Sequence, residues 1–465
     1  MERPVLDTHQ KAHAINMDRR KYGILAEIGA GQETARWFFR VGGAAGTIAK
    51  AISAYDMQVS DSMYGPCARY VSRDRLEAML DCEYRLLQSY LGDSRGDEST
   101  FFVFANTVAT FSYSTSRPGH GWLGIRFQAS PHAQESQIDL HVVLKGSDNV
   151  QDQEILGQLG VNLVYGAMYL HDNPDVLLAS LLDGLTTDML EIDMIDFQGD
   201  VFSGVDNRLM ALRLVQHGLS SAAMFGADGK VVQPADTLYR KSVLVERSRF
   251  RPPTRLNIDM LDCATRAFLD EADVTEDNTL VLSEMTLHNL GDGEDIDVED
   301  FLNRVDILCA LGKNVIITDY GEFYRLAQYL FSMTQNPVGV VLGVTTLADI
   351  FDDSYYQHLE GGILESFGRM FKNRLRLYVC PTCQVGSDEL LTVHNLDIAP
   401  HLRHLYAHLL DNGSIRELTD IQREYLLIQS DTVLESIQRG DAGWEAMVPD
   451  TVATLIRQKN LFKCA

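Results

Sequence analysis

Apolar residues change their spacing along the chain, and each change marks a different kind of structure. Residues 17–91 carry small and apolar side chains that read as helix, cleanest over Arg73–Leu91, where Leu76, Met79, Leu80, Leu86 and Leu87 fall on one face. Two glycine-rich stretches interrupt this region, 28–39 and 41–50. Each Gly weakens a helix by about 1 kcal/mol relative to Ala, so the glycines imply close backbone packing or a loop that approaches a ligand. Over 99–145 the period shortens. The runs 101–104, 122–127 and 138–143 are β-rich and partly alternating, with turn residues at 116–121 and 129–132, which predicts an antiparallel meander followed by a long helix over 149–171.

From about 187 strand and helix alternate. Strands are expected at 190–195, 222–225, 242–246, 279–283, 314–318, 338–342 and 375–379, with helices near 207–217, 255–269, 298–311, 321–333 and 359–371. That alternation predicts a Rossmann-like, doubly wound, mostly parallel sheet in the C-terminal half. It would be joined to an α+β N-terminal half and a helical C-terminal tail without strands. The expected boundaries are 1–95 (helical, Gly/Ala-rich), 96–186 (antiparallel strands plus helix), 187–390 (Rossmann-like) and 391–465 (helical).

Composition narrows the class without naming a function. The 465 residues are 45% hydrophobic and 23% charged, with 12 Pro and 35 Gly, which is ordinary for globular protein and excludes disordered or collagen-like chains. No run of eighteen apolar residues occurs, so no membrane helix is expected. Forty basic against 65 acidic residues give a formal charge of −25, which argues against nucleic acid and anionic membranes as partners. The N-terminus lacks the pattern of a secretory signal, and seven scattered cysteines (67, 82, 263, 309, 380, 383, 464) read as reduced thiols, so a cytoplasmic location is expected.

Ligands of open α/β sheets bind beyond the carboxyl ends of the strands. The strand ending near 246 runs into an unusually basic segment, with Arg240, Lys241, Arg247, Arg249, Arg251 and Arg255 against the single acid Glu246. Guanidinium groups beside a helix N-terminus suit phosphate or carboxylate. The competing reading is an ion-pair network or an oligomer contact. Glu284, Asp319 and Glu322 fall at neighbouring strand ends, where carboxylates could hold magnesium beside a phosphate or act as a base; Asp319 could equally cap the following helix. Asp206 and Arg208 open another helix as a cap and a second potential anion donor.

Weaker signals read structurally. The 41–50 segment lacks the Gly-Lys-Ser/Thr ending of a phosphate loop. Cys380 and Cys383 have the spacing of half a zinc site, which His394, His401 or His404 would have to complete. His401, His404 and His408 share a helical face without a matching carboxylate. The acidic run Asp292–Asp300 breaks the calcium-loop order.

Residues 248–257 resemble the opening motif of nicotinate- and nicotinamide-nucleotide adenylyltransferases, Gly-Ser-Phe-x-Pro-x-Thr/His-x-x-His. Phe250, Pro252 and Thr254 match; the glycine position is Arg247 or Ser248, and the final histidine, which stabilises the transferring phosphate in that family, is Asn257. A broader resemblance rests on 26–39, 41–50, 120–128, 160–166, 206–210 and 361–369. These segments are similar to a widespread bacterial cytosolic family, whose members carry names taken from nucleotide adenylyltransferases and from TonB-dependent receptors. The receptor name does not suit this pattern of segments, and the likeness implies no reaction.

The expected function is a nucleotide- or phosphometabolite-binding enzyme, nucleotidyltransferase-like. Arg247, Arg249, Arg251 and Arg255 would hold phosphate, Thr254 would hydrogen-bond it, and Glu284 and Asp319 would hold magnesium with a nucleotide or serve as base. A homo-oligomer is expected. The alternative is a non-catalytic self-assembling scaffold or regulatory ligand-binding protein, with Trp37, Phe38 and Phe39 as interface anchors.

Overall fold

The computed structural model describes residues 4–111, 118–146, 148–291, 296–383 and 389–462. Part of the expected turn (116–117), the start of the acidic run (292–295), the segment after Cys383 (384–388) and Cys464 lie outside the described residues. The chain forms two compact units, Met1–Ser221 and Ala222–Ala465.

The first unit is built on strands β1 (Lys21–Ile28), β2 (Ile48–Ile52), β3 (Thr100–Ala109), β4 (His120–Gln128), β5 (Glu135–Leu144) and β6 (Leu190–Gln198), in the order β2-β1-β3-β4-β5-β6. Its helices are α1 (Thr8–Met17), α2 (Glu33–Arg40), α3 (Met57–Tyr64), α4 (Arg73–Arg95), α5 (Asn149–Tyr169), α6 (Pro174–Leu181) and α7 (Asn207–Gln216). The expected meander is present as β3 to β6, all antiparallel. Its residues alternate as a half-polar sheet requires. Leu123, Ile125, Phe127, Ile138, Leu140 and Val142 join the core shared with α5, while Trp122, Arg126, Gln137, Asp139 and His141 occupy the alternate positions.

The expectation for 1–95 is corrected here. β1 and β2 are strands, and β1 pairs in parallel with both β2 and β3. A strand buried on both faces is apolar at nearly every position, so it shows no alternation to distinguish it from a helix. Gly23 serves the close approach, since a Cβ there would lie 2.5 Å from the Phe102 ring. Gly29, at φ 102°, turns β1 toward α2. The boundary at 187 also moves, because β6 completes this first sheet.

The second unit contains β7 (Ala222–Phe225), β8 (Val231–Val232), β9 (Ser242–Arg247), β10 (Thr279–Thr286), β11 (Asn314–Thr318), β12 (Val338–Gly343), β13 (Leu375–Cys380), the short ladder β14 (Thr382–Cys383) with β15 (Leu390–Leu391), and β16 (Ile415–Glu417). Its helices are α8 (Pro234–Leu238), α9 (Arg255–Leu269), α10 (Val298–Ala310), α11 (Phe323–Met333), α12 (Val344–Ile350), α13 (Gly362–Met370), α14 (Arg403–Asp411), α15 (Ser430–Arg439) and α16 (Asp450–Lys459). The strand order is β16-β13-β12-β9-β10-β11-β7-β8, with the first six parallel. From β9 the chain moves outward through β10 and β11, then returns to β12 on the other side of β9. That is a Rossmann-like strand order. The tail is largely helical as expected, but it contributes the edge strand β16, too short to register as a strand in the sequence.

Alternation along β9 assigns the two faces. Val243 and Val245 pack with Tyr324 and Leu326 of α11; Leu244 packs with Met260, Leu261 and Phe268 of α9. Arg247 therefore belongs to the α11 face, and Glu246 to the α9 face.

Candidate functional site

The strand order reverses between β9 and β12, so the carboxyl ends of these strands bound the crevice where an α/β sheet takes a ligand. The basic cluster divides around this edge. Arg240 and Lys241 precede β9, and a strand of this length places them roughly 20 Å from the residues that follow it. They are removed from the site for that reason.

Arg247 ends β9, directly opposite Glu284 of β10. Its Nε and Nη2 donate to the two carboxylate oxygens of Glu284 at 2.7 and 2.8 Å, Nη1 donates to the Gly321 carbonyl at 2.6 Å, and Nη2 also reaches the Tyr320 carbonyl at 2.9 Å. The guanidinium lies 4.3 Å from the Phe323 ring centroid. Glu284 accepts a further bond from the Thr318 hydroxyl at 2.6 Å, and its side chain is fully buried. Two expected site residues thus meet, but as a bidentate ion pair. This arrangement commits Arg247 to Glu284 rather than to phosphate, and Glu284 to Arg247 rather than to magnesium.

The next basic residues point elsewhere. Arg249 is exposed, with Asp431 at 4.0 Å. Arg251 donates through Nε to Asp300 at 3.0 Å. Arg304 of α10 pairs with the same Asp300 and donates through Nη1 to the carbonyls of Arg249 and Asn289 at 3.3 and 3.1 Å. Its Nε is buried without a hydrogen-bond partner among the described residues. Burial opposes its charge and lowers its pKa, and Arg251 and Arg249 add to the effect. Two guanidinium groups, those of Arg251 and Arg304, therefore flank Asp300. Arg255 turns away, donating to the Ala446 carbonyl at 2.9 Å and to Asp450 at 2.8 Å, so it ties α9 to the start of α16.

The loop between Arg247 and Thr254 is held tightly. Phe250 has left-handed backbone (φ 48°), which costs a non-glycine residue about 1–2 kcal/mol, and its ring is buried. Thr254 is the N-cap of α9 and forms a capping box with Asn257: its hydroxyl accepts from the Asn257 backbone at 3.3 Å, and the Asn257 Oδ1 accepts from the Thr254 backbone at 3.0 Å.

Asn257 also reaches a residue that the sequence reading left unassigned. Its Nδ2 donates to Glu246 Oε1 at 2.7 Å. Glu246 is buried at the end of β9, and its Oε2 has no hydrogen-bond partner among the described residues. Burial pushes its pKa up to about 8, against the lowering effect of the Asn257 bond and of Lys313. A carboxyl that is largely protonated at neutral pH thus sits at the strand-order reversal. The available signal was a single acid closing the apolar strand 242–245.

Asp319 is exposed, 4.0 Å from His288. It does not cap α11, since the N-cap is Glu322, which stands 3.6 Å from Arg325 and 3.8 Å from His358. Asp319 is thus the expected carboxylate that faces solvent at a strand end. Asp206 caps α7 in the first unit and pairs with Arg208 at 2.7 Å.

Cys380 is buried, with its thiol pushed up to about 12 chiefly by burial, which opposes thiolate chemistry. Cys383 lies in the β14–β15 ladder, and both are free thiols. His401 contacts Asp353 at 2.5 Å. No group of three metal-ligating side chains occurs among the described residues. No helix among them is long and apolar enough to cross a membrane.

The sequence matches no protein-family model and no curated protein. Solved structures are similar over part of the chain. The competence/damage inducible protein CihA from Agrobacterium tumefaciens is 16% identical and covers 35% of this chain and 97% of its own, at a TM-score of 0.25. A CinA superfamily protein from Enterobacter cloacae is 9% identical over 36% of this chain and 95% of its own, at 0.26. A protein described as a putative nicotinate-nucleotide adenylyltransferase from Vibrio parahaemolyticus is 12% identical over 48% of this chain and 95% of its own, at 0.22. These likenesses are partial and supply no reaction.

Proposed function

We propose that the second unit binds a phosphate-bearing small molecule, a nucleotide or phosphorylated metabolite, over the carboxyl ends of β9 and β12, and acts on it as a nucleotidyltransferase-like enzyme. The observation that carries this reading is the surplus of guanidinium groups on the loop after β9. Arg251 and Arg304 flank one carboxylate, Asp300, beside the edge where the strand order reverses, and exposed Arg249 lies on the same loop. In a chain of charge −25 such a surplus is out of character, and it suits an anion brought to that edge.

Each group then has a distinct part. Arg249 and Arg251 neutralise phosphate charge, while Arg247 and Glu284 act as a positioning pair that fixes the end of β9. Thr254 keeps the start of α9 aimed at the same edge, where the helix dipole favours an anion. Asp319, the exposed carboxylate at the end of β11, would hold magnesium, which would supply further neutralisation of phosphate charge; one or two protein carboxylates suffice for such an ion. Transfer chemistry of this kind depends on positioning and charge neutralisation. Calorimetric titration with magnesium-ATP is expected to show saturable binding that weakens at least tenfold in Arg251→Ala. Equal affinity in the two proteins would remove Arg251 from the site.

A second reading, a self-associating scaffold, is supported by Phe39. Phe38 is buried and Trp37 packs against the core, but Phe39 is 55% exposed on α2.

A further inference from the structure

The first unit holds a chain of titratable groups that phosphate binding in the second unit does not use. β5 and β6 slip by one residue beside His141: His141 pairs with Met194 and Val142 with Ile192, so Asp193 is the extra residue of a β-bulge. Bulges re-aim side chains. Here Asp193 Oδ1 lies 2.6 Å from His141 Nδ1, and His141 Nε2 lies 3.3 Å from Nδ1 of His120, the first residue of β4. Asp193 and His141 are buried, and His120 is half-buried.

Hydrogen-bond bookkeeping fixes the direction of the chain. A carboxylate only accepts, so His141 carries its proton on Nδ1. In neutral His141 the Nε2 is then an acceptor, and His120 donates from its own Nδ1. Both imidazoles are thereby held in the Nδ1–H tautomer, and the basic nitrogen of the chain is Nε2 of His120. The His141 ring is braced edge-on by Trp122 at 5.0 Å between centroids. The Arg73 guanidinium of α4 lies 6.0 Å from the Trp122 centroid, but it pairs with Asp139 and Asp196. Among the described residues the facing charges are thus Asp193, Asp196 and Glu191 from β6 and Asp139 from β5 against Arg73 and Lys145. A phosphate is disfavoured in that field.

We propose that Asp193, His141 and His120 form a proton relay, a general acid–base centre of the first unit. It acts through His120 on a neutral or cationic small molecule bearing a weakly acidic N–H or O–H. In the forward step the substrate proton passes to Nε2 of His120, and the proton on Nδ1 of His120 passes to Nε2 of His141. Asp193 stabilises the resulting imidazolium without taking its proton. The reverse transfers return a proton to product or water, so no charge accumulates.

Two measurements on the full chain test this. Long-range nitrogen–proton correlation spectra of the wild-type protein above pH 7.5 are expected to show His120 and His141 both protonated on Nδ1; His120 protonated on Nε2 would overturn the relay. Labelling with diethyl pyrocarbonate, read by mass spectrometry at pH 7, is expected to slow about tenfold at His120 in Asp193→Asn. Exposed His132 reacts at an unchanged rate as internal control. Equal His120 rates in a variant that folds would overturn the relay as well, and the tautomer measurement needs no variant.

Discussion

Arg247 and Glu284 are a buried, fully hydrogen-bonded ion pair, and their chemistry is decided by what each would be without the other. Removing one partner of such a pair leaves an uncompensated buried charge, which costs about 3–5 kcal/mol. Glu284→Gln is therefore expected to lower the unfolding free energy of the second unit by that amount in urea titrations; an unchanged midpoint would mean that the pair contributes little. Glu246 makes a prediction of the opposite kind. Its folded pKa, about 8, lies above the ordinary carboxyl value of 4.5. Between these pH values the unfolded chain ionises Glu246 while the folded chain keeps it protonated, so the folded state binds more protons and stability falls as pH rises. The penalty is absent below about pH 4.5 and complete above about pH 8. Glu246→Gln is expected to flatten the stability profile across that window, and a profile as steep as wild type would contradict the assignment. Neither behaviour was legible in the sequence. Arg247 and Glu284 were visible as chemistry at strand ends, but parallel register, which only the folded sheet supplies, turns two candidate ligand groups into partners.

Among elements, β9 and α9 set the geometry of the candidate site, and Thr254 with Asn257 holds their junction. Losing an N-cap hydroxyl costs about 0.5–2 kcal/mol. Thr254→Ala is expected to destabilise the second unit within that range by thermal or urea unfolding and to weaken anion binding in parallel; full stability would show that the capping box carries no energy. Asn257, where the adenylyltransferase motif has histidine, is here the link between the cap and Glu246. The second sheet was largely legible, because strands and helices of ordinary length alternate from β9 to β13. β1 and β2 were not: β1, buried from Gly23 to Glu27, carries neither alternation nor a helical stripe, and β2, a five-residue edge strand, is too short to show a period. β16 was missed because three residues are too few to show a period.

At the scale of the whole chain, a strongly acidic protein carries a local excess of arginine at one sheet edge, and the first unit carries a polar relay on another sheet. Exposed Phe39 predicts a contact between copies: light scattering is expected to give a multiple of 52.0 kDa that falls to the monomer in Phe39→Asp. A wild-type monomer would remove the scaffold reading. An anion site over β9 and β12 should respond to a thermal-shift screen of the full chain. The compounds are ATP, nicotinate mononucleotide, nicotinamide mononucleotide and NAD, each with and without magnesium. A ligand at one hundred times its dissociation constant adds about 2.7 kcal/mol, a visible rise in melting temperature. A magnesium-dependent rise is expected with at least one of these compounds, lost in Arg251→Ala. No rise with any phosphorylated compound would contradict it.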